Sequence, residues 1–168
     1  MKEKVRMKTL TAVPTNKHPF VRNLNQQHVQ RLLADASVVE FEAGEIIFRE
    51  GEPANRFYLI ESGEVELESK TARGGTVRID TLQTGDALGW SWLFPGFAWH
   101  FQARAVQPTK AICCNGAHLL VQAEGDHDFG YELMKRVSQI VIHRLQASRQ
   151  HLVENQSVLS GASAGVVH

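Results

Sequence analysis

The hydrophobic and polar positions change period along the chain. In "NLNQQHVQRLLADAS", Val29, Leu32 and Leu33 recur at helical spacing behind Asn25, a residue type that caps helices well. A short helix over about 26–36 is predicted. From Val38 the period shortens. "EIIF", "RFYLI" and "EVELES" are short alternating or apolar runs, cut by turn signals at Gly44, Gly51 and Gly63. "SKTARGGTVRI" reads as a hairpin whose returning strand spans 76–82, and "QTGD" makes another turn. "FQARAV" and "KAICC" supply two more strands. About eight short strands at this spacing predict a β-roll or barrel-like sandwich.

Helical spacing then returns. Asn115 caps a short helix, "GAHLLVQAE". "GDHD" breaks it and opens a longer one over about 129–154, with Asp126 and Asp128 placed to favour its positive end. The stripe of Leu133, Val137, Ile140 and Val141 on this helix is longer than one β-roll should need to cover, and predicts a homodimer through it. The expected organisation is an N-terminal arm over 1–18, one mainly β domain with flanking helices over 19–155, and a flexible tail over 156–168.

Composition narrows the function. With 168 residues, 43% hydrophobic and 21% charged, a single packed domain is expected. Lys plus Arg equals Asp plus Glu at 18 each, which removes broad attraction to nucleic acid or an anionic membrane. No apolar run approaches the ~20 residues of a membrane span. The basic start, "MKEKVRMKTL", lacks the apolar stretch of a secretory leader. Adjacent Cys113 and Cys114 point to opposite faces of a strand and read as reduced thiols, so a cytoplasmic location is expected. There is no H-E-x-x-H, C-x-x-C, G-x-S-x-G or P-loop, so neither a catalytic residue nor a metal site is expected.

One stretch departs from this plain picture. "LGWSWLFPGFAWHFQARA", over 88–105, holds all three tryptophans and three of the phenylalanines. Large rings bring much apolar area at little entropic cost. Such a loop either plugs something or binds something.

The layout of leading helix, Gly-punctuated β-roll and long closing helix resembles the cyclic nucleotide-binding domain, the family of the bacterial cAMP-receptor-type regulators. The likeness rests on "FEAGEIIFREGEPANRFYLIESGEVEL", with Phe41, Gly44, Glu45, Ile46, Gly51, Tyr58, Ile60, Gly63 and Val65 in the family's pattern. "LQTGDALG" continues it at Leu82, Gly85, Asp86 and Gly89. The glycines and Glu45 and Tyr58 are read as scaffold, since tight turns need them.

The resemblance implies a double-stranded β-helix, jelly-roll-like, with a ligand closed in by a phosphate-binding cassette. In the family a cassette Glu takes the ribose hydroxyl and an Arg pairs with the cyclic phosphate. Here Leu88, Gly89, Trp90, Ser91, Trp92 and Leu93 fill the first part of the cassette, with Trp90 in the Glu slot. Phe101, Gln102 and Ala103 fill the second, with Phe101 in the Arg slot. Losing two charge-assisted hydrogen bonds costs ~3–6 kcal/mol, roughly two to four decades of affinity. His100 and Arg104 are the candidate replacement cations.

The reading is a non-enzymatic sensor or interaction module with no cofactor, unable to bind cAMP in the usual way. Trp90 is expected to be the buried plug and Trp99 the more exposed ring. The loop tip is the candidate surface for a protein partner. The alternative is a cAMP-responsive receptor or a subunit of a transcriptional regulator. Past Asn155 there is too little chain for the DNA-reading domain such regulators carry, so direct nucleic-acid binding is not expected.

Overall fold

The computed structural model describes residues 6–9, 18–94 and 96–163. Nine strands run in the order β1 (Arg6–Thr9), β2 (Ser37–Phe41), β3 (Ile46–Phe48), β4 (Arg56–Ser62), β5 (Glu64–Lys70), β6 (Thr76–Gln83), β7 (Ala87–Leu88), β8 (Gln102–Ala105) and β9 (Thr109–Asn115) among these residues. Helix α1 (Gln26–Leu33) lies between β1 and β2, and α2 (Gly116–Gly125) and α3 (His127–Ser163) follow β9. The strands form two antiparallel sheets, ordered β1-β2-β9-β4-β7 and β3-β8-β5-β6. The mainly β reading of the sequence therefore holds.

Alternation decides what each sheet buries. Val65 and Leu67 of β5, Ala103 and Ala105 of β8, and Tyr58 and Ile60 of β4 turn into one cluster between the sheets. The other face of β4 packs Phe57 and Leu59, both fully buried, with Phe57 edge-on to Phe20 at 5.0 Å. The β4–β5 turn depends on Gly63. Its φ is +107°, and a Cβ there would lie 2.4 Å from the Thr109 hydroxyl and 2.6 Å from the Pro108 carbonyl. No other residue fits a left-handed position with that little room.

α1 begins where the sequence placed it, with the Asn25 carboxamide oxygen accepting from the His28 N–H at 2.7 Å. The long helix opens on Asp126, whose carboxylate accepts the Phe129 N–H at 3.1 Å and pairs with Arg31.

Two boundaries differ from expectation. Residues Arg6–Thr9, read as part of a loose arm, form a strand paired with 37–40; the rest of 1–17 lies outside the described residues. The helix expected to stop near 154 runs to Ser163, taking in most of the predicted flexible tail. There Ser157 and Ser160 turn their hydroxyls back onto the carbonyls of Glu154 and Gln156, so these polar residues sit inside the helix without breaking it. Residues 164–168 lie outside the description.

The chain forms two compact units, 1–133 and 134–168. The apolar positions expected to face a partner differ in burial. Val137 is 2% exposed, as is Leu133 in the first unit, so neither offers surface to a partner. Ile140 and Val141 are half-buried. The exposed apolar residues of the second unit include Met134 near its start and Ile142, Leu145, Leu152, Val153, Val158 and Leu159 further on.

Candidate functional site

The aromatic loop joins β7, an edge of one sheet, to β8, inside the other. It therefore bridges the mouth of the roll. It leaves β7 through Gly89, where φ is +83°. A Cβ there would lie 2.8 Å from the Trp99 ring and 3.0 Å from the Arg56 carbonyl. Gly89 lets the chain turn under the tryptophan, and a short 3-10 turn at Ser91–Leu93 follows.

The three indoles take three different places. Trp99 is 3% exposed and belongs to the cluster between the sheets. Its ring stacks on Phe48, with centroids 4.0 Å apart and planes 15° from parallel. Its backbone is fixed from both sides: its N–H donates to the Glu52 carbonyl, and its own carbonyl accepts from the Gly51 N–H, each at 2.9 Å. A bridge between Pro53 and Ala98 completes this clasp. Trp92 is also buried, but on the outer side of β4, 5.6 Å from the Phe57 ring and tight against Gly116. Trp90 is only half-buried, though its Nε1 is closed off from solvent and has no hydrogen-bond partner.

The expected order is thus reversed. Trp99, not Trp90, is the ring inside the roll. Alternation gives the reason. Trp99, Phe101, Ala103 and Ala105 are two residues apart, and the last two are fully buried on the inner face. Small Ala103, directly across from Phe48, leaves room for the stacked rings. Phe101 packs against the same cluster, 6.1 Å from Phe48.

The remaining cassette residues separate by face. Leu88 is inside, paired with Tyr58 across β7 and β4, and Ser91 is buried in the 3-10 turn beside half-buried Leu93. Gln102 and Arg104 point outward. Gln102 Nε2 donates to a Glu68 carboxylate oxygen at 2.7 Å. Arg104 Nε donates to the same carboxylate at 3.2 Å and its Nη1 to the Gly44 carbonyl at 3.2 Å. Arg104 therefore stabilises the outer face and does not reach the interior. His100 is exposed, beside the Phe97 ring at 6.1 Å. Neither candidate cation stands in the slot that Phe101 occupies. At the loop tip, Phe94 and Phe97 are 49% and 48% exposed with centroids 5.4 Å apart.

Burial pushes the Cys113 and Cys114 thiols and the Tyr58 phenol up from their ordinary ionisation ranges, which favours their neutral forms. Among the described residues there is no cluster of side chains suited to a metal ion, and no helix long and apolar enough to cross a membrane.

Two antiparallel sheets rolled around an interior and bridged at the mouth by a loop define a β-roll. The chain belongs to the cyclic nucleotide-binding domain family, whose model matches residues 38–124, just over half of it. It is 37% identical over 71 residues to the cAMP-dependent protein kinase regulatory subunit of Schizosaccharomyces pombe, a match covering 42% of this chain and 16% of that protein. The chain spans a quarter or less of the length of the curated relatives it matches. In fold it is similar to a cyclic nucleotide-binding domain from Methylobacillus flagellatus, with TM-score 0.72, 18% identity, and 79% of this chain and 74% of that one covered. It is also similar to the regulatory subunit of a cAMP-independent protein kinase A from Trypanosoma brucei, with TM-score 0.61, 24% identity, and 74% and 44% covered.

Proposed function

We propose that this chain is a non-enzymatic sensor or interaction module in which the family's ligand space is filled by its own cassette. The observation that carries this reading is the Phe48–Trp99 stack inside the roll. Two further features support it. The family's Glu and Arg slots hold Trp90 and Phe101, so a cyclic phosphate would be desolvated there without its usual partners. The one cation close by in sequence on β8, Arg104, is engaged by Glu68 on the opposite face. A relative described as cAMP-independent shares the fold, so the architecture serves proteins that do not answer to cAMP.

The test is calorimetric titration of cAMP and cGMP. With two charge contacts gone, the expected dissociation constant for cAMP is no tighter than roughly the high-micromolar range. A low-micromolar constant would overturn the proposal and favour the receptor reading.

The same proposal assigns the far half of α3 to a second copy of the chain. Leu145, Leu152 and Leu159 recur every seven residues and are all exposed. That is the repeat of two supercoiled helices.

A further inference from the structure

His118, Gln122 and Asp126 are four residues apart, which sets them in one line along α2 and into the start of α3. Arg31 and Asp35, also four apart, stand at the end of α1 and just past it. The two lines meet. Asp35 pairs with the Nδ1 side of His118. Arg31 Nη1 donates to Gln122 Oε1 at 2.8 Å, and Arg31 Nε donates to an Asp126 carboxylate oxygen at 3.1 Å. Gln122 Nε2 lies 2.7 Å from His118 Nε2. No cassette residue belongs to this cluster.

Donor and acceptor chemistry fixes how the Gln122 amide must sit. Arginine only donates, so Gln122 has to turn its oxygen to Arg31. Its NH2 then faces His118, whose Nε2 has to accept. A carboxylate accepts, so Nδ1 carries the hydrogen that meets Asp35. These are the roles of a neutral imidazole. A protonated imidazole donates from both nitrogens. Arg31 and His118, at opposite ends of the amide, would then need the same oxygen.

We infer that Gln122 is a proton-driven switch between Arg31 and His118. A proton taken from solvent onto His118 Nε2 meets the Gln122 NH2, so the amide turns over and its oxygen accepts from His118. Its NH2 then faces a guanidinium that has no acceptor, and the Arg31–Gln122 bond is lost. The Asp35 pair stays, now between full charges. Arg31 keeps Asp126, whose carboxylate also accepts the Phe129 N–H in the first turn of α3. The Arg31 side chain of α1 is thus tied to α2 and to the α3 start while His118 is neutral, and to the α3 start alone once it is charged. The ionisable groups of the cluster are Asp35, Arg31 and Asp126. His28 of α1 is felt at Asp126 as well, so the test has to separate its proton from that of His118.

The test follows three signals of the full chain by nuclear magnetic resonance from pH 8 downward, over the range in which the chain stays folded. They are the His118 ring, the Gln122 side-chain amide and the Arg31 Nε–H, assigned by their loss in His118→Asn, Gln122→Met and Arg31→Lys. The Gln122 and Arg31 peaks are expected to shift with the midpoint of the His118 ring. In His118→Asn both should hold still. In Gln122→Met the His118 ring should still titrate, and the Arg31 peak should no longer follow it. Gln122→Ala replaces Gln122→Met should that variant not fold. An Arg31 peak that still follows His118 without Gln122 would mean that charge acts through space, and would overturn the switch. Movement that persists in His118→Asn would assign the proton to His28 and overturn it too. So would a Gln122 amide unmoved while His118 titrates, or a His118 ring that takes up no proton before the chain unfolds.

Discussion

Trp99 and Phe97 are two residues apart and differ in every physical respect that matters here. One is stacked inside the roll and the other stands half in solvent at the loop tip. Trp99→Ala should remove ~3–5 kcal/mol of stability, because it leaves a ring-sized cavity beside Phe48. Phe97→Ala should cost under ~1 kcal/mol. Urea unfolding of the two variants checks both. The sequence already held the signal for this difference, since Trp99 is in step with Phe101, Ala103 and Ala105. It was obscured by "PGFA", whose turn character suggested that everything near it was exposed. His18 sets a pH dependence at the same scale. Its ring is buried, its Nδ1 accepts the Phe20 N–H at 3.1 Å, and burial holds its pKa below the ordinary 6.5. The unfolded chain takes up this proton first as pH falls. The stability from neutral His18 is therefore full above about pH 6.5 and is lost as pH drops through the lowered value. Denaturant midpoints measured across that range should fall with acidification, and His18→Gln should flatten the slope.

Among the elements, the long helix departs most from its sequence reading. Its start was legible because Asp126 is a strong capping residue and Gly125 a breaker. Its end was not, because small and polar residues mark loops only when nothing continues the helical pattern. Leu152 and Leu159 continue it. The apolar stripe is not one surface. Leu133 and Val137 are covered, so Val137→Glu should destabilise the fold rather than merely separate copies. Leu152→Glu should leave the melting temperature nearly unchanged and convert the chain to a monomer, read by light scattering at tens of micromolar. A wild-type monomer under those conditions would refute the pairing of helices.

At the scale of the whole molecule, the fold was legible from glycine spacing. Tight turns between short strands admit little else, as Gly63 against Thr109 illustrates. The occupant of the roll was less so, because it depends on which ring of an aromatic loop turns inward. That choice is made by the clasp between 51–54 and 97–99, a contact across the bridge that no local pattern announces. The account stands or falls on Trp99 filling the interior in the absence of ligand. Acrylamide quenching of a chain retaining Trp99 alone, with Trp90 and Trp92 replaced by Phe, measures this directly. Trp99 should emit at short wavelength and resist quenching, with or without cAMP. Ready quenching of Trp99 in the ligand-free protein would contradict the account.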